Sequence, residues 1–425
     1  MISPAVDAIA ADLHESSAIN LELTLSIFLL GLGFGPLLLS PISEIHGRPV
    51  VLLIGNLFFV VWNTASGFAQ TAGQLMAFRL LAGFGASAPL AIGGGLLSDL
   101  WEPERRGQAM AIYTSGPLVG PALGPIIGAY IAQYTTWRWI FWVVSIASGC
   151  FIVVALLFLD ETYPPKLLSD KARRLRKQTG NLALHTQYEG PDRTLVKLLK
   201  LNLIRPVRML STQVIIQILS AFMSTLYGIM YLVLFTFPLL WTNRYHESVS
   251  TGSLNYISTG IGFVVGTQVA GRFNDQIYKR LRTRNNGVGI PEFRVPLLIP
   301  GSIAIPIGLF WYGWTGQAHA HWILPNIGAA IFCFGVITCF QALQSYTIDA
   351  YPRYAASAIS TLNVTRSLTG FGFPLFAPYM YDALGYGWGN SVLAFAALAF
   401  GIIGPLVLWK YGAHLRARST YAAGE

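Results

Sequence analysis

Of the 425 residues, 53% are hydrophobic and only 11% charged, and the mean hydropathy is +0.53, a balance that excludes a soluble protein with a charged surface. The net charge of +9 would suit a nucleic-acid binder, but its distribution excludes that reading. With loops alternating sides, all but four of the 28 Lys and Arg fall on one face; Arg138 and Arg244 lie on the other, and Arg79 and Arg366 lie inside apolar stretches. This is the positive-inside pattern of a multi-pass membrane protein, and it places the basic loops and the C-terminal tail in the cytoplasm, against anionic lipid headgroups.

A helix rises about 1.5 Å per residue, so roughly 20 apolar residues cross a hydrocarbon core of about 30 Å. Residues 1–20 are polar and acidic, which is not the pattern of a cleavable leader. Eleven apolar stretches follow, near 23–42, 50–69, 75–98, 109–131, 139–159, 209–240, 254–271, 295–314, 322–348, 355–379 and 390–411. The expected plan is an N-terminal transmembrane half over 1–159, a basic cytoplasmic loop over 160–208, a C-terminal transmembrane half over 209–411 and a cytoplasmic tail over 412–425. Within the loop, Lys171 to Lys177 is a basic run. Leu195 to Ile204 interleaves lysine with leucine as a helix lying on the membrane surface would, and Gly180, Gly190 and Pro191 are breakers. Cys150, Cys333 and Cys339 all fall in apolar stretches without metal-ligand spacing and are read as buried thiols, so neither metal nor cofactor is expected.

The two halves repeat one another. Asp99 leads through Pro103 and Arg105 into a span, and Asp349 leads through Pro352 and Arg353 into another; Glu44 closes the first cytoplasmic turn, and Asp275 follows the corresponding span of the second half. Two repeats joined by a cytoplasmic loop are the plan of transporters whose substrate sites lie near the midplane. Around the first turn, Gly35 to Arg48 reads GPLLLSPISEIHGR, with a carboxylate, a tight turn at Gly47 and an arginine within five residues. Glu44 can meet a helix N-terminus while Arg48 meets a second carboxylate, for which Asp99 is the natural partner. Such a turn locks two helices in one state and releases them in the other.

This pattern resembles motif A of the major facilitator superfamily. Leu75 to Ala86, around Arg79, resembles motif B, and Gly116 to Ala129 resembles motif C of the antiporter branch. Glu161 to Leu168, Tyr227 to Tyr231 and Pro291 to Arg294 are similar to segments of the fungal 12-span drug:proton antiporters. The resemblance implies an all-α integral membrane protein of two pseudo-symmetric halves, with about eleven spans because the chain begins in what resembles the loop after the family's first span. A truncated start is the expectation. Pro49 stands where the family often has a second basic residue.

The resemblance further implies a cytoplasmic gate of Glu44, Gly47, Arg48, Asp99, Arg105, Asp275, Asp349 and Arg353, and proton coupling through Arg79, which snorkelling to the interface would explain equally. Gly116, Gly120, Gly124 and Gly128 lie along one slowly drifting helix face, while Pro121 and Pro125 remove backbone donors and bend the helix. Close helix packing accounts for them, and family resemblance adds a seal that favours exchange over leakage. Candidates for lining a substrate cavity are Tyr113, Tyr227, Tyr231, Gln341, Gln344 and the deeply placed Arg366, with Trp311, Phe334 and Tyr346 in the same aromatic inventory, a set suited to bulky amphipathic organics. No Asp or Glu lies near mid-depth, Glu22 and Asp382 being close to outer ends, which leans away from strongly cationic substrates.

The expected activity is export of small hydrophobic or amphipathic organics, whether drugs, toxins or a secondary metabolite, in exchange for protons, by a monomer in the plasma membrane or the vacuolar membrane. Alternatives are an uptake symporter or facilitator of the same fold, or a non-transporting truncated protein. No nucleotide loop, nucleophile elbow or histidine cluster suggests an enzyme.

Overall fold

The computed structural model describes residues 2–100, 103–181, 183–187, 195–419 and 421, apart from the side chains at 98, 103–112, 114, 115, 117–119, 195–198 and 353. All regular structure among them is helical: α1 (Val6–Asp12), α2 (Ala18–His46), α3 (Arg48–Ser66), α4 (Ala72–Leu100), α5 (Pro103–Tyr134), α6 (Trp137–Phe158), α7 (Pro164–Thr179), α8 (Leu195–Thr212), α9 (Val214–Leu239), α10 (Val249–Leu254), α11 (Tyr256–Arg284), α12 (Leu298–Gln317), α13 (Ile323–Ala350) and α14 (Ala355–Ala417). Among the described residues, eight helices are long and apolar enough to cross a membrane. One of these is α14, whose 63 residues would extend about 95 Å if straight, three times the hydrocarbon core. Gly385, at φ +68° and ψ 177°, breaks it, so it carries both of the last two expected crossings. The stretch 109–131 lies on α5, and 254–271 starts at the end of α10 and continues along α11.

One boundary differs from the sequence reading. The stretch expected over 209–240 begins later, because α8 runs on to Thr212 and Gln213 is extended, at φ −107° and ψ 105°, before α9 starts. Hydropathy did not mark this break, since α8 is itself apolar on one side: Leu201, Leu203, Ile204 and Val207 are exposed, as suits a helix lying on lipid. Lys171 to Lys177 falls on α7, which Gly180 ends in the left-handed conformation, its N–H donating to the Arg176 carbonyl. The cysteine reading is corrected in one place. Cys333 and Cys339 are buried, but Cys150 is exposed on α6, where the apolar surroundings are lipid rather than protein.

The described chain divides into two compact units. One comprises Met1–Ser26, Ser115–Ile140 and Arg208–Glu425; the other comprises Ile27–Thr114 and Phe141–Val207. Both use small residues to bring helices close, the usual device where lipid offers no hydrophobic drive to association. In the second unit, a Cβ on Gly83 would sit 2.3 Å from the Phe28 carbonyl oxygen on α2, and one on Gly85 would sit 2.5 Å from the Phe59 nitrogen on α3. In the first, Gly308 of α12 and Gly328 of α13 bear the same relation to Phe332 and Tyr312 backbone at 2.4 and 2.5 Å. Polar ties add to this: Asn63 donates to the Phe141 carbonyl at 2.8 Å and to Ser145 Oγ at 2.9 Å, joining α3 to α6.

Candidate functional site

The sharp turn between α2 and α3 is built on Gly47, whose φ of +103° and ψ of 154° belong to a region essentially reserved for glycine. It delivers Arg48 as the first residue of α3, where backbone N–H groups have no partner inside the helix. The carboxylate that caps this end is Glu161, following α6: its Oε1 accepts from the N–H of Arg48 at 3.1 Å, of Thr162 at 3.1 Å and of Tyr163 at 3.0 Å. Glu44, expected in that role, is half-buried and makes no hydrogen bond or ion pair among the described residues. The Glu161 carboxylate occupies the space beside Gly47, its Oε2 lying 1.8 Å from where a Cβ on Gly47 would stand.

The Arg48 side chain turns inward. It is 8% exposed, donates through Nε to Asp99 at 3.4 Å and through Nη1 to Ser43 at 2.9 Å, and stacks over the Tyr163 ring at 4.7 Å. Gly95 gives it space, since a Cβ there would come 2.9 Å from the guanidinium carbon. One arginine thus ties α2, α4 and the start of α7 around the Gly47 turn. The Arg105 side chain, expected in the same gate, lies outside the described residues.

The first unit carries a related lock. Asp275 near the end of α11 and Asp349 near the end of α13 share Arg294, whose Nη1 lies 2.9 Å from Asp275 and whose Nε lies 2.8 Å from Asp349. The arginine also stacks on Tyr278 at 4.3 Å. Beside it, Glu292 is 4% exposed and accepts from Arg416 Nε at 3.0 Å and Nη2 at 2.7 Å, with Tyr346 Oη at 3.4 Å. Tyr346 therefore belongs to this ionic cluster. The Arg353 side chain lies outside the described residues. Sequence reasoning assigned Asp275 and Asp349 but gave no role to Arg294, Glu292, Arg416 or Glu161. The available signal was a glutamate set among prolines at a helix end, in Glu161 to Pro165 and in Pro291 to Arg294.

On α5, Gly124, Pro125 and Gly128 are buried, Pro121 is half-buried, and Gly116 and Gly120 are exposed. The neighbouring Ala122 packs against α11, where a Cβ on Gly260 would come 2.6 Å from the Ala122 Cβ. Arg79 is buried in α4 with its guanidinium 5.2 Å from the Phe28 ring centroid. Tyr113 lies against Gly93 and donates to the Pro89 carbonyl at 2.6 Å, so it serves the packing of α4 and α5. Gln344 and Trp311 are exposed, and Gln341 and Phe334 are half-buried. Tyr227, Tyr231 and Arg366 come together: Arg366 lies over the Tyr227 ring at 4.9 Å, and the Tyr227 hydroxyl donates to that of Tyr231 at 3.4 Å. Glu22, passed over in the sequence as close to an outer end, is only 6% exposed, and its Oε2 and the Ser26 hydroxyl one turn on have no partner among the described residues.

A family model described as Major Facilitator Superfamily matches residues 1–374. The chain belongs to the major facilitator superfamily. As a member of it, the chain is an integral, multi-pass membrane protein and a transporter of small molecules rather than an enzyme. It is 50% identical over 424 residues to the efflux pump vrtL of Penicillium aethiopicum, covering 100% of this chain and 84% of that protein. It is 43% identical over 420 residues to the MFS-type transporter oryF of Aspergillus oryzae, covering 99% and 87%. Among solved structures, the partially occluded inward-open xylose transporter XylE from E. coli matches with a TM-score of 0.69 at 18% identity, over 96% of this chain and 92% of that one. The human organic anion transporter MFSD10 matches with a TM-score of 0.60 at 16% identity, over 95% and 89%. These two likenesses are of fold.

Proposed function

We propose that this superfamily member exports small hydrophobic or amphipathic organic molecules across the plasma membrane in exchange for protons, by alternating access. The observation that carries the reading is the pair of arginine-centred locks, Arg48 with Asp99 and Arg294 with Asp275 and Asp349, each closing the cytoplasmic ends of helices in its own unit. Ionic locks of this kind favour one state when closed and release helices when broken, which is what a rocking carrier needs on the face from which substrate enters. The fungal relatives named efflux pumps support the direction.

Two buried groups support proton coupling. Glu22 is a carboxyl group enclosed in protein without a countercharge, and a group of that kind takes up or gives away a proton when a water path reaches it. Arg79 is a buried cation on α4 able to hold a transient negative charge. Expression in yeast lacking its own pumps, followed by accumulation of fluorescent hydrophobic compounds with and without a protonophore, tests the reading. Lowered accumulation that the protonophore restores supports it, raised accumulation means uptake, and no change for any compound rejects transport of this class.

A further inference from the structure

From the geometry around Arg366 we infer that the transported molecule is an organic acid, carried as its anion, and that the Tyr231–Arg366 corner of the first unit holds the acidic group. The inference rests on the proposed transport reading and narrows its substrate class.

Arg366 lies eleven residues beyond the start of α14, about 17 Å along the helix, near the middle of a hydrocarbon core of about 30 Å. A guanidinium at that depth is costly unless a countercharge or a set of acceptors meets it. Here neither does. Arg366 makes no ion pair among the described residues, its Nε is enclosed without an acceptor, and its visible contact is the face of Tyr227 at 4.9 Å.

The neighbouring hydroxyls do not supply the missing acceptor: among the described residues none accepts from the Arg366 side chain, and they are themselves short of partners. Ser220, Ser224, Tyr227 and Tyr231 follow one another at intervals of four, three and four residues, which puts them on one face of α9. The Thr369 hydroxyl, on α14 one turn beyond Arg366, donates to the Ser224 carbonyl at 2.7 Å, which fixes this face of α9 against α14. The Ser220 and Ser224 hydroxyls have no partner among the described residues. Tyr227 and Tyr231 share a single hydrogen bond, so whichever of them donates, one phenolic proton of the pair is left over. Phe340 and Phe373 close the surroundings with apolar surface, the former 5.7 Å from the Tyr227 ring and the latter beneath Gly228.

The corner therefore offers a permanent positive charge with unmet N–H and O–H donors inside an aromatic wall, and no carboxylate among the described residues satisfies them. A group that only accepts and carries negative charge completes it: a carboxylate, enolate or phenolate on an aromatic or otherwise apolar body. A cationic or neutral amide-bearing substrate would leave the guanidinium uncompensated. The charge balance has a consequence for transport. An anion leaving the cell and a proton entering it move charge in the same direction, so a negative-inside potential assists both.

The test uses the full chain, purified into lipid nanodiscs, and three probes that share a ring system: 1-pyrenebutyric acid, its primary amide and 1-pyrenebutylamine. We expect the acid to bind at least tenfold more tightly than the amide, and the amine more weakly than either. Arg366→Gln should erase the acid preference by weakening acid binding at least tenfold more than amide binding, with an unchanged thermal midpoint showing that the variant is folded; Arg366→Lys should restore part of the preference and Tyr231→Phe should narrow it. Equal binding of acid and amide to the unaltered chain would overturn the inference, as would an acid preference that survives Arg366→Gln. Displacement of the acid by 0.1 M chloride but not by an unlabelled organic acid would also overturn it, by revealing an inorganic anion site. Failure here is separable from failure of the transport reading: cells that export amide and amine as well as acid keep the pump and lose the acid specificity, whereas cells that export none of the three lose the pump.

Discussion

Replacing Gly47 by alanine perturbs the turn that brings Arg48 and Glu161 together, and its cost can be worked from the backbone conformation and one contact. A non-glycine residue at φ +103° and ψ 154° carries backbone strain of about 1–3 kcal/mol. The new Cβ would also stand 1.8 Å from Glu161 Oε2, so the carboxylate has to swing away. A mobile side chain would do that cheaply, but this one is held by three backbone N–H groups. Losing even one such charge-assisted bond costs about 1.5–3 kcal/mol. Together these give about 2.5–6 kcal/mol against the closed turn, or roughly two orders of magnitude and upward in its population, at about 1.4 kcal/mol per factor of ten. Peptide-level hydrogen exchange on the chain in nanodiscs reads this directly, since protection at the start of α3 and at 161–165 reports local opening. Protection at both segments should fall by about two orders of magnitude, and transport of a hydrophobic probe should fall with it. Glu161→Gln, which leaves the strain out, should show a smaller loss at the same segments. Unchanged exchange and unchanged transport in Gly47→Ala would refute the reasoning.

Arg294→Ala leaves Asp275 and Asp349 facing one another without their shared cation. A loss of about 1–3 kcal/mol is expected because the pair is only partly buried, and thermal unfolding should show it alongside reduced export. Arg294→Lys should rescue only part of the export, because a point charge cannot replace Nε and Nη1 aimed at two carboxylates. Gly260→Leu should overpack the α5–α11 contact by about 1–3 kcal/mol, whereas Gly260→Ala combined with Ala122→Gly should be tolerated; thermal midpoints of the two proteins measure the contrast. At the outer end, the Asp12 carboxylate accepts from the Arg138 guanidinium and from Trp137 Nε1, and the bond from Arg138 holds its pKa below the ordinary value of 3.8. That tie is present above the ordinary value and is lost as pH falls through the lowered one. Exchange protection over residues 5–12, corrected for intrinsic rates, should drop in that acid range, and Asp12→Asn should abolish the dependence.

The spans were legible because the bilayer imposes one length on every crossing. The α8–α9 break was not, because Met209 and Leu210 at the end of α8 continue the apolar run of the crossing that follows, and only the extended Gln213 separates the two helices. In the site, Arg48 and Asp99 could be paired from sequence because each ends a span on the same side of the membrane. Glu161 could not, since it lies 113 residues from Arg48 and reaches it only through the packing of α3 and α6. Glu22 was passed over for a related reason: depth along a helix says how far a residue is from water along the axis, not what covers it sideways. Arg366 was singled out by depth alone, and the structure adds the unmet hydrogen-bonding groups around it.

Exchange of protons for an organic substrate is tested most directly in vesicles holding the purified chain with its cytoplasmic face outward, loaded at acid pH and diluted into neutral buffer. The account predicts that labelled pyrenebutyric acid accumulates inside only while the acid-inside gradient lasts, that adding it speeds alkalinisation of the lumen, and that nigericin abolishes both. Accumulation driven instead by an acid exterior, or indifferent to the gradient, would contradict proton-coupled export.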